Sequence, residues 1–288
     1  MTRVAAIDLG TNATRLLVAD VDGDVVTEVV RRTRITRLGE GVDARRRLLP
    51  VPIARVRNVL SDYRREAESL GAERILAVAT SAVRDAENGE AFLGEIEWSY
   101  GFTTCLLTGD EEAAMTLRGV GPLDQGTVVV DIGGGSTELI ATDFRTSLDI
   151  GCVRLTERHG ENLHGMAADV RAALPQLAAT RAVNVDGTTA ELAALAGNGG
   201  RVTLRTVDQA LDWLVYATDA ERRARLIEPD RSEVLTAGVV VLRETLRHLG
   251  LQETTASDRD LLNGAALAAA ELPEPEEGAA PPGAYTCC

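Results

Sequence analysis

Residues 127–140 read TVVVDIGGGSTELI. Apolar β-formers carry Asp131 to the end of one run, then Gly133, Gly134, Gly135, Ser136 and Thr137 lead into Glu138 and a second apolar pair. The pattern is strand, tight glycine turn, strand. Consecutive glycines permit positive φ and let backbone N–H groups converge without obstruction by side chains, a nest suited to a phosphate oxygen. Asp131 would face the same anion and be repelled by it unless a cation stood between. A carboxylate beside a phosphate cradle therefore implies a divalent metal, magnesium (Mg2+) held through water. The plainer reading is a glycine-rich β-turn with no ligand.

The chain start weakens that plainer reading. Residues 4–20 read VAAIDLGTNATRLLVAD, and a constant shift of 123 positions lays Asp8 on Asp131, Gly10 on Gly133, Thr14 on Thr137 and Leu16 on Leu139. Gly10, Thr11 and Asn12 then form a second phosphate turn, with Asp8 beside it as a second carboxylate facing the metal. Two such hairpins suggest two similar domains facing each other across a cleft, clamping one phosphate chain and one metal. Neither turn is a Walker loop, because the chain contains no lysine. Neither fits the dinucleotide fingerprint, which needs a helix directly after the glycines.

Three further stretches could receive an anion or do acid–base work. Thr80-Ser81 opens a helix with Arg84 in its first turn, a site for phosphate, although helix capping accounts for the Thr/Ser pair equally well. Asp110-Glu111-Glu112 begins another helix, where acids complement the dipole and where a carboxylate would also be placed to orient water. Asp186-Gly187-Thr188-Thr189 caps a third, with Gly187 and Thr188 at a strand-to-helix turn able to bind phosphate.

The elements that must position these groups follow from periodicity and breakers. Strands are expected at 25–34, 74–79, 103–107 and 181–185. Helices are expected at 52–70, 91–101, 166–179 with Pro175 as kink or stop, 190–195, 207–216, 219–226 and 233–249, and a terminal one at 263–272. Gly119 to Gly126, with Pro122, is the expected crossover. The division is then an N-terminal domain at 1–122, a C-terminal domain at 123–272 and a disordered Pro/Glu-rich tail at 273–288.

At 288 residues the chain is long enough for two cores, which must be aliphatic because aromatic residues make up only 3%. Cys105, Cys152, Cys287 and Cys288 show neither metal-ligand spacing nor a disulfide framework, which points to a reducing cytoplasm. No apolar run reaches membrane-spanning length. A net charge of −14 argues against nonspecific nucleic-acid binding. Yet residues 31–65 hold eleven arginines against Glu40, Asp43 and Asp62, a local excess of eight positive charges. Such a segment either collects a polyanion or is a solvated helix face.

Six segments, AAIDLGTNATRLLVAD, AVATSAVRDAEN, LLTGDEEA, VVVDIGGGSTELI, LDIGCVRLTE and ASDRDLLNGAAL, occur in an order that resembles the Ppx/GppA family of exopolyphosphatases and guanosine pentaphosphate phosphohydrolases. The resemblance implies an α/β fold of the two-domain actin-like ATPase type (sugar kinase, Hsp70, actin), with duplicated phosphate-binding β-hairpins and an interdomain cleft. It also implies the short form, without an added carboxy-terminal helical domain. In that family the second glutamate of the GxEEA motif, here Glu112, positions or activates water. Asp131 and Glu138 are associated with magnesium, Arg84 with phosphate, and Asp8 with the first phosphate loop Gly10-Thr11-Asn12.

Three positions depart from the pattern. Leu262 stands where the family tends to have arginine, Asp186 where glycine is usual before Gly187, and Glu233 where aspartate is usual.

The resulting expectation is an exopolyphosphatase that releases terminal orthophosphate from inorganic polyphosphate by in-line attack of water. Guanosine pentaphosphate (pppGpp) hydrolysis would use the same centre. A sugar kinase and a non-catalytic polyphosphate or alarmone sensor are the other readings. No nucleic-acid or membrane partner is expected, the location is cytoplasmic, and the oligomeric state stays open, a homodimer among the options.

Overall fold

The computed structural model of the chain describes residues 1–273, so all of the expected tail beyond Pro273, with Cys287 and Cys288, lies outside the described residues. The chain divides into two compact units, residues 1–121 with 261–273, and residues 122–260.

In the first unit, strands β1 (Thr2–Leu9), β2 (Ala13–Asp22), β3 (Val25–Ile35), β4 (Arg74–Ala79) and β5 (Thr103–Leu106) form one sheet in the order β3-β2-β1-β4-β5. β1 pairs antiparallel with β2 and parallel with β4. Side chains alternate across the sheet. Ala5, Ile7, Leu9, Leu16 and Val18 face the helices Pro50–Ser69 and Gly89–Tyr100 through Val56, Leu60, Tyr63, Phe92 and Ile96. Val4, Ala6, Leu17, Leu76 and Val78 face the other way.

That second face is closed by the helix Leu261–Ala270, whose Leu261, Leu262, Ala265, Ala266 and Ala269 are buried against it. The terminal helix, expected to belong to a domain at 123–272, therefore completes the first unit instead. The physical reason is that β1 and β4 leave an apolar face that this alanine- and leucine-rich helix covers. Gly264 lets it approach, since a Cβ there would overlap the Met115 carbonyl on the helix Gly109–Val120.

In the second unit, β6 (Thr127–Ile132), β7 (Thr137–Ala141), β8 (Phe144–Leu148), β9 (Arg181–Asn184), β10 (Arg201–Thr203) and β11 (Glu253–Ala256) form a sheet ordered β10-β11-β9-β6-β7-β8. Apart from the short antiparallel edge β10, the order and strand directions repeat those of the first unit. The same α/β unit is thus built twice. β10 and β11 have three and four residues, too short to show alternation in the sequence. Among the described residues no helix is long and apolar enough to cross a membrane.

Candidate active site

The 123-residue shift holds at the level of hydrogen bonds. Asp8 pairs across the strands with Arg15 and Leu9 with Thr14, as Asp131 pairs with Glu138 and Ile132 with Thr137. Gly10 N donates to Ala13 O at 3.1 Å and Gly133 N to Ser136 O at 2.9 Å, closing the same turn twice.

Glycine is needed at these turns for closeness rather than for positive φ. Neither Gly10 nor any of Gly133, Gly134 and Gly135 has φ in the left-handed region. A Cβ on Gly10 would lie 2.9 Å from the Ala13 carbonyl, and one on Gly133 would lie 3.0 Å from the Ser136 carbonyl. The positive φ that glycine permits is not used in these turns.

What aims the amides is the helix Cys152–His159 behind the second turn. Cys152 N donates to Gly133 O at 3.0 Å, Val153 N to Gly134 O at 2.8 Å, and the Arg154 Nε to Gly135 O at 2.7 Å. In a trans peptide the next N–H points opposite the carbonyl. The N–H groups of Gly134, Gly135 and Ser136 therefore point away from that helix, and they have no hydrogen-bond partner among the described residues. This is the concave array of donors that an oxyanion requires. Gly151 permits the approach, because a Cβ there would overlap the Gly134 carbonyl.

The first turn is backed differently. Gly39 N donates to Thr11 O at 2.8 Å, and both Thr36 N and Arg37 N donate to Asn12 O. Asn12 is buried, and its Nδ2 has no hydrogen-bond partner among the described residues. A buried amide nitrogen of that kind is costly unless a ligand answers it.

The sequence assigns Thr137 to phosphate, but its hydroxyl donates to Ile150 O at 2.6 Å and the side chain is wholly buried. Thr14, its counterpart in the first unit, is likewise shared with Thr36 at 2.9 Å. Both fix the start of a strand. Ser136 and Thr11 are buried within their turns.

The two hairpins differ in charge. Arg15 places Nε 2.9 Å and Nη2 2.8 Å from Asp8 Oδ2, so the first carboxylate is answered by a guanidinium. At the equivalent place in the second unit stands Glu138, directly across from Asp131 on the same face, its Oε1 accepting from Ser147 Oγ at 2.6 Å. Two carboxylates on one face are hard oxygen donors suited to magnesium. Asp131 and Glu138 in the second hairpin, and Asp8 in the first, are each carboxylates that could serve as hard oxygen donors. Among the described residues no cluster of three or more metal-ligating side chains occurs.

Glu112 sits in the first turn of Gly109–Val120 and is buried. The three neighbouring acids part company there. Glu111 closes a capping box with Thr108, accepting from Thr108 N at 2.8 Å, while Glu112 turns inward. Arg84 Nη1 donates to Leu107 O at 2.8 Å and to Glu112 Oε2 at 3.1 Å. Burial pushes the Glu112 carboxyl up to about 7; Arg84 opposes the shift and Asp8 adds to it. Thr80 makes no side-chain capping bond, so capping does not account for the Thr80-Ser81 pair.

At the third turn, Asp186 caps the helix Gly187–Ala196, its Oδ1 accepting from Thr189 N at 2.7 Å and its Oδ2 from Asn184 Nδ2 at 2.9 Å. Burial raises its carboxyl above the ordinary range. A Cβ on Gly187 would meet the Arg231 guanidinium, which would have to shift. Thr188 is buried, its hydroxyl against Gly238. Sequence reasoning misses Arg15, Arg154 and Arg231 as groups that hold these turns. Arg15 alone is legible, as the residue that the 123-position shift lays on Glu138.

Residues 17–172 match the Ppx/GppA phosphatase family. Exopolyphosphatase 2 of Mycobacterium tuberculosis (strain ATCC 25618 / H37Rv) is 36% identical over 316 residues, covering 94% of this chain and 99% of its own. A crystal structure of an exopolyphosphatase-like protein superposes with a TM-score of 0.83 at 30% identity, covering 93% of this chain and 97% of the other. The crystal structure of the Aquifex aeolicus family member gives 0.73 at 27% identity, with 93% and 97% covered. With its paired hairpins and its buried Glu112, the chain belongs to the Ppx/GppA phosphatase family.

Proposed function

We propose that this protein is an exopolyphosphatase, a phosphoanhydride hydrolase that releases orthophosphate from the end of inorganic polyphosphate. The observation that carries the reading is Glu112, a buried carboxylate held by Arg84 and raised to about 7. A group with such a value is ionised often enough near neutral pH to take a proton, and basic enough to do so usefully.

In this reading Glu112 orients the attacking water and accepts its proton as the bond from water oxygen to the terminal phosphorus forms. The bond from that phosphorus to the bridging oxygen breaks, and the shortened chain leaves with the electron pair. In the second unit the Gly134, Gly135 and Ser136 N–H groups, and in the first unit Asn12 Nδ2, are donors suited to charge on phosphoryl oxygens. Arg84 holds Glu112 in place and faces the same charge. Asp131 and Glu138 would hold magnesium, which when bound supplies positive charge to phosphate oxygens that the carboxylates would otherwise repel. Gly10, Thr11, Gly133, Gly187 and Thr188 shape the turns, and Asp8 fixes the first one through Arg15.

Identity to an exopolyphosphatase along nearly the whole chain supports polyphosphate over pppGpp as substrate. A cytoplasmic location belongs to the same reading, with Cys105 and Cys152 as free thiols. The test is orthophosphate release with magnesium from polyphosphates of graded length and from pppGpp. Faster turnover of pppGpp would replace the substrate. Tight binding of polyphosphate without any release would make the protein a sensor.

A further inference from the structure

Among the described residues two non-glycine residues adopt positive φ, Arg37 at 51° and Arg46 at 53°, and both are arginines of the loop at 36–48. Arg46 is the C-cap of the helix Val42–Arg45, a position where glycine avoids the steric cost of the left-handed region. An arginine held there against local strain points to a use for its side chain.

The loop is tied to both phosphate-facing elements of its unit. At one end Gly39 N and Arg37 N bond the carbonyls of Thr11 and Asn12, and Gly39 lies against Thr11 and Ala82. At the other, Glu87 N donates to Arg46 O at 2.8 Å, and Asn88 brackets Leu48 with bonds of 2.8 and 3.1 Å. The segment holding Asn88 follows Arg84 directly.

The charge of the basic stretch is also concentrated here. Arg32, Arg55, Arg57, Arg64 and Arg65 form ion pairs of 2.5–2.8 Å with Glu66, Glu40, Glu95, Glu68 and Asp62. Exposed Arg45 and Arg47 have no ion-pair partner among the described residues. Arg46 reaches Asp85 only at 3.7 Å, with its side chain 54% exposed. Three adjacent cations, on a loop bonded at 37–39 to the first phosphate turn and at 46–48 to the segment after Arg84, match a substrate that repeats its negative charge along a chain.

We propose that Arg45, Arg46 and Arg47 bind the phosphates behind the terminal one and make this enzyme select long polyphosphate over short. The assignment rests on the exopolyphosphatase reading and deepens it.

The test compares wild type with Arg46→Gly and with the triple variant Arg45→Ser/Arg46→Gly/Arg47→Ser on long-chain polyphosphate and on tripolyphosphate. In the triple variant the ratio of kcat/KM, long over short, should fall about tenfold, and less so as salt is raised. Arg46→Gly should melt at or above wild type, because glycine removes the strain. An unchanged ratio, or a lower melting temperature for Arg46→Gly, overturns the proposal. If wild type releases no orthophosphate from either substrate, the exopolyphosphatase reading fails. Retention of long-chain polyphosphate by wild type and triple variant then decides the loop by itself, and equal retention overturns it.

Discussion

Arg84 Nη1 lies 3.1 Å from Glu112 Oε2, and the same nitrogen donates to the Leu107 carbonyl at 2.8 Å. The backbone bond fixes the guanidinium, and the guanidinium then fixes the carboxylate, so the two act as one unit across 28 residues of sequence. Burial raises the Glu112 carboxyl and Arg84 pulls it back, leaving it at about 7. Without Arg84 a buried carboxylate of this kind would stay protonated further into the alkaline range.

Glu112→Gln should therefore lower kcat on the order of 10²- to 10⁴-fold while the protein stays folded. In wild type, log kcat/KM should rise with pH up to about 7 and then level, and the variant should lose that limb. Stability should respond with its own sign. Because the folded-state value lies above the ordinary 4.5, the contribution of Glu112 is complete below pH 4.5 and is lost as pH rises through about 7. Glutamine, which carries no titrating proton, should flatten that part of a melting-temperature profile. A retained wild-type rate in the variant contradicts the role of Glu112 as base.

Asn12→Ala should leave the melting temperature close to wild type, since Asn12 Nδ2 has no partner among the described residues and the backbone bonds to Asn12 O persist. Phosphate affinity should drop instead, read as a rise in the inhibition constant of orthophosphate of about tenfold. A large loss of stability with unchanged inhibition would assign Asn12 to the fold alone.

Chelation of divalent cations should abolish orthophosphate release, and magnesium should restore it. Asp131→Asn should raise the magnesium concentration needed for half-maximal rate, because one of the two same-face carboxylates loses its charge. Asp8→Asn, measured alongside, reads whether the carboxylate paired with Arg15 contributes to the same metal requirement. Equal shifts in the two variants would show that both hairpins hold metal alike.

Gly264→Ala should destabilise the first unit, because the added methyl overlaps the Met115 carbonyl. The expected cost is about 1–3 kcal/mol, measured by denaturant unfolding. Since Met115 shares a helix with Glu112, kcat should fall with it more than KM rises. A stability equal to wild type would mean that the two helices separate without cost.

The hairpins are legible in the amino-acid sequence, because a turn that must bring a bare Cα against a carbonyl tolerates little but glycine, and the 123-residue repeat exposes the duplication. Glu112, Arg84 and Asp131 are legible as residue types beside helix starts and strand ends. Sequence does not disclose that Thr137 spends its hydroxyl on Ile150, that Arg154 braces Gly135, or that Arg32, Arg55 and Arg57 are answered by Glu66, Glu40 and Glu95. Those facts depend on which side chains meet over separations of 13 to 38 residues, where local pattern carries no information. The placement of the final helix is of the same kind. Its composition dictates burial, but only the apolar face left open by β1 and β4 decides where, because a face of valine and alanine is covered by whichever helix the chain can bring back to it.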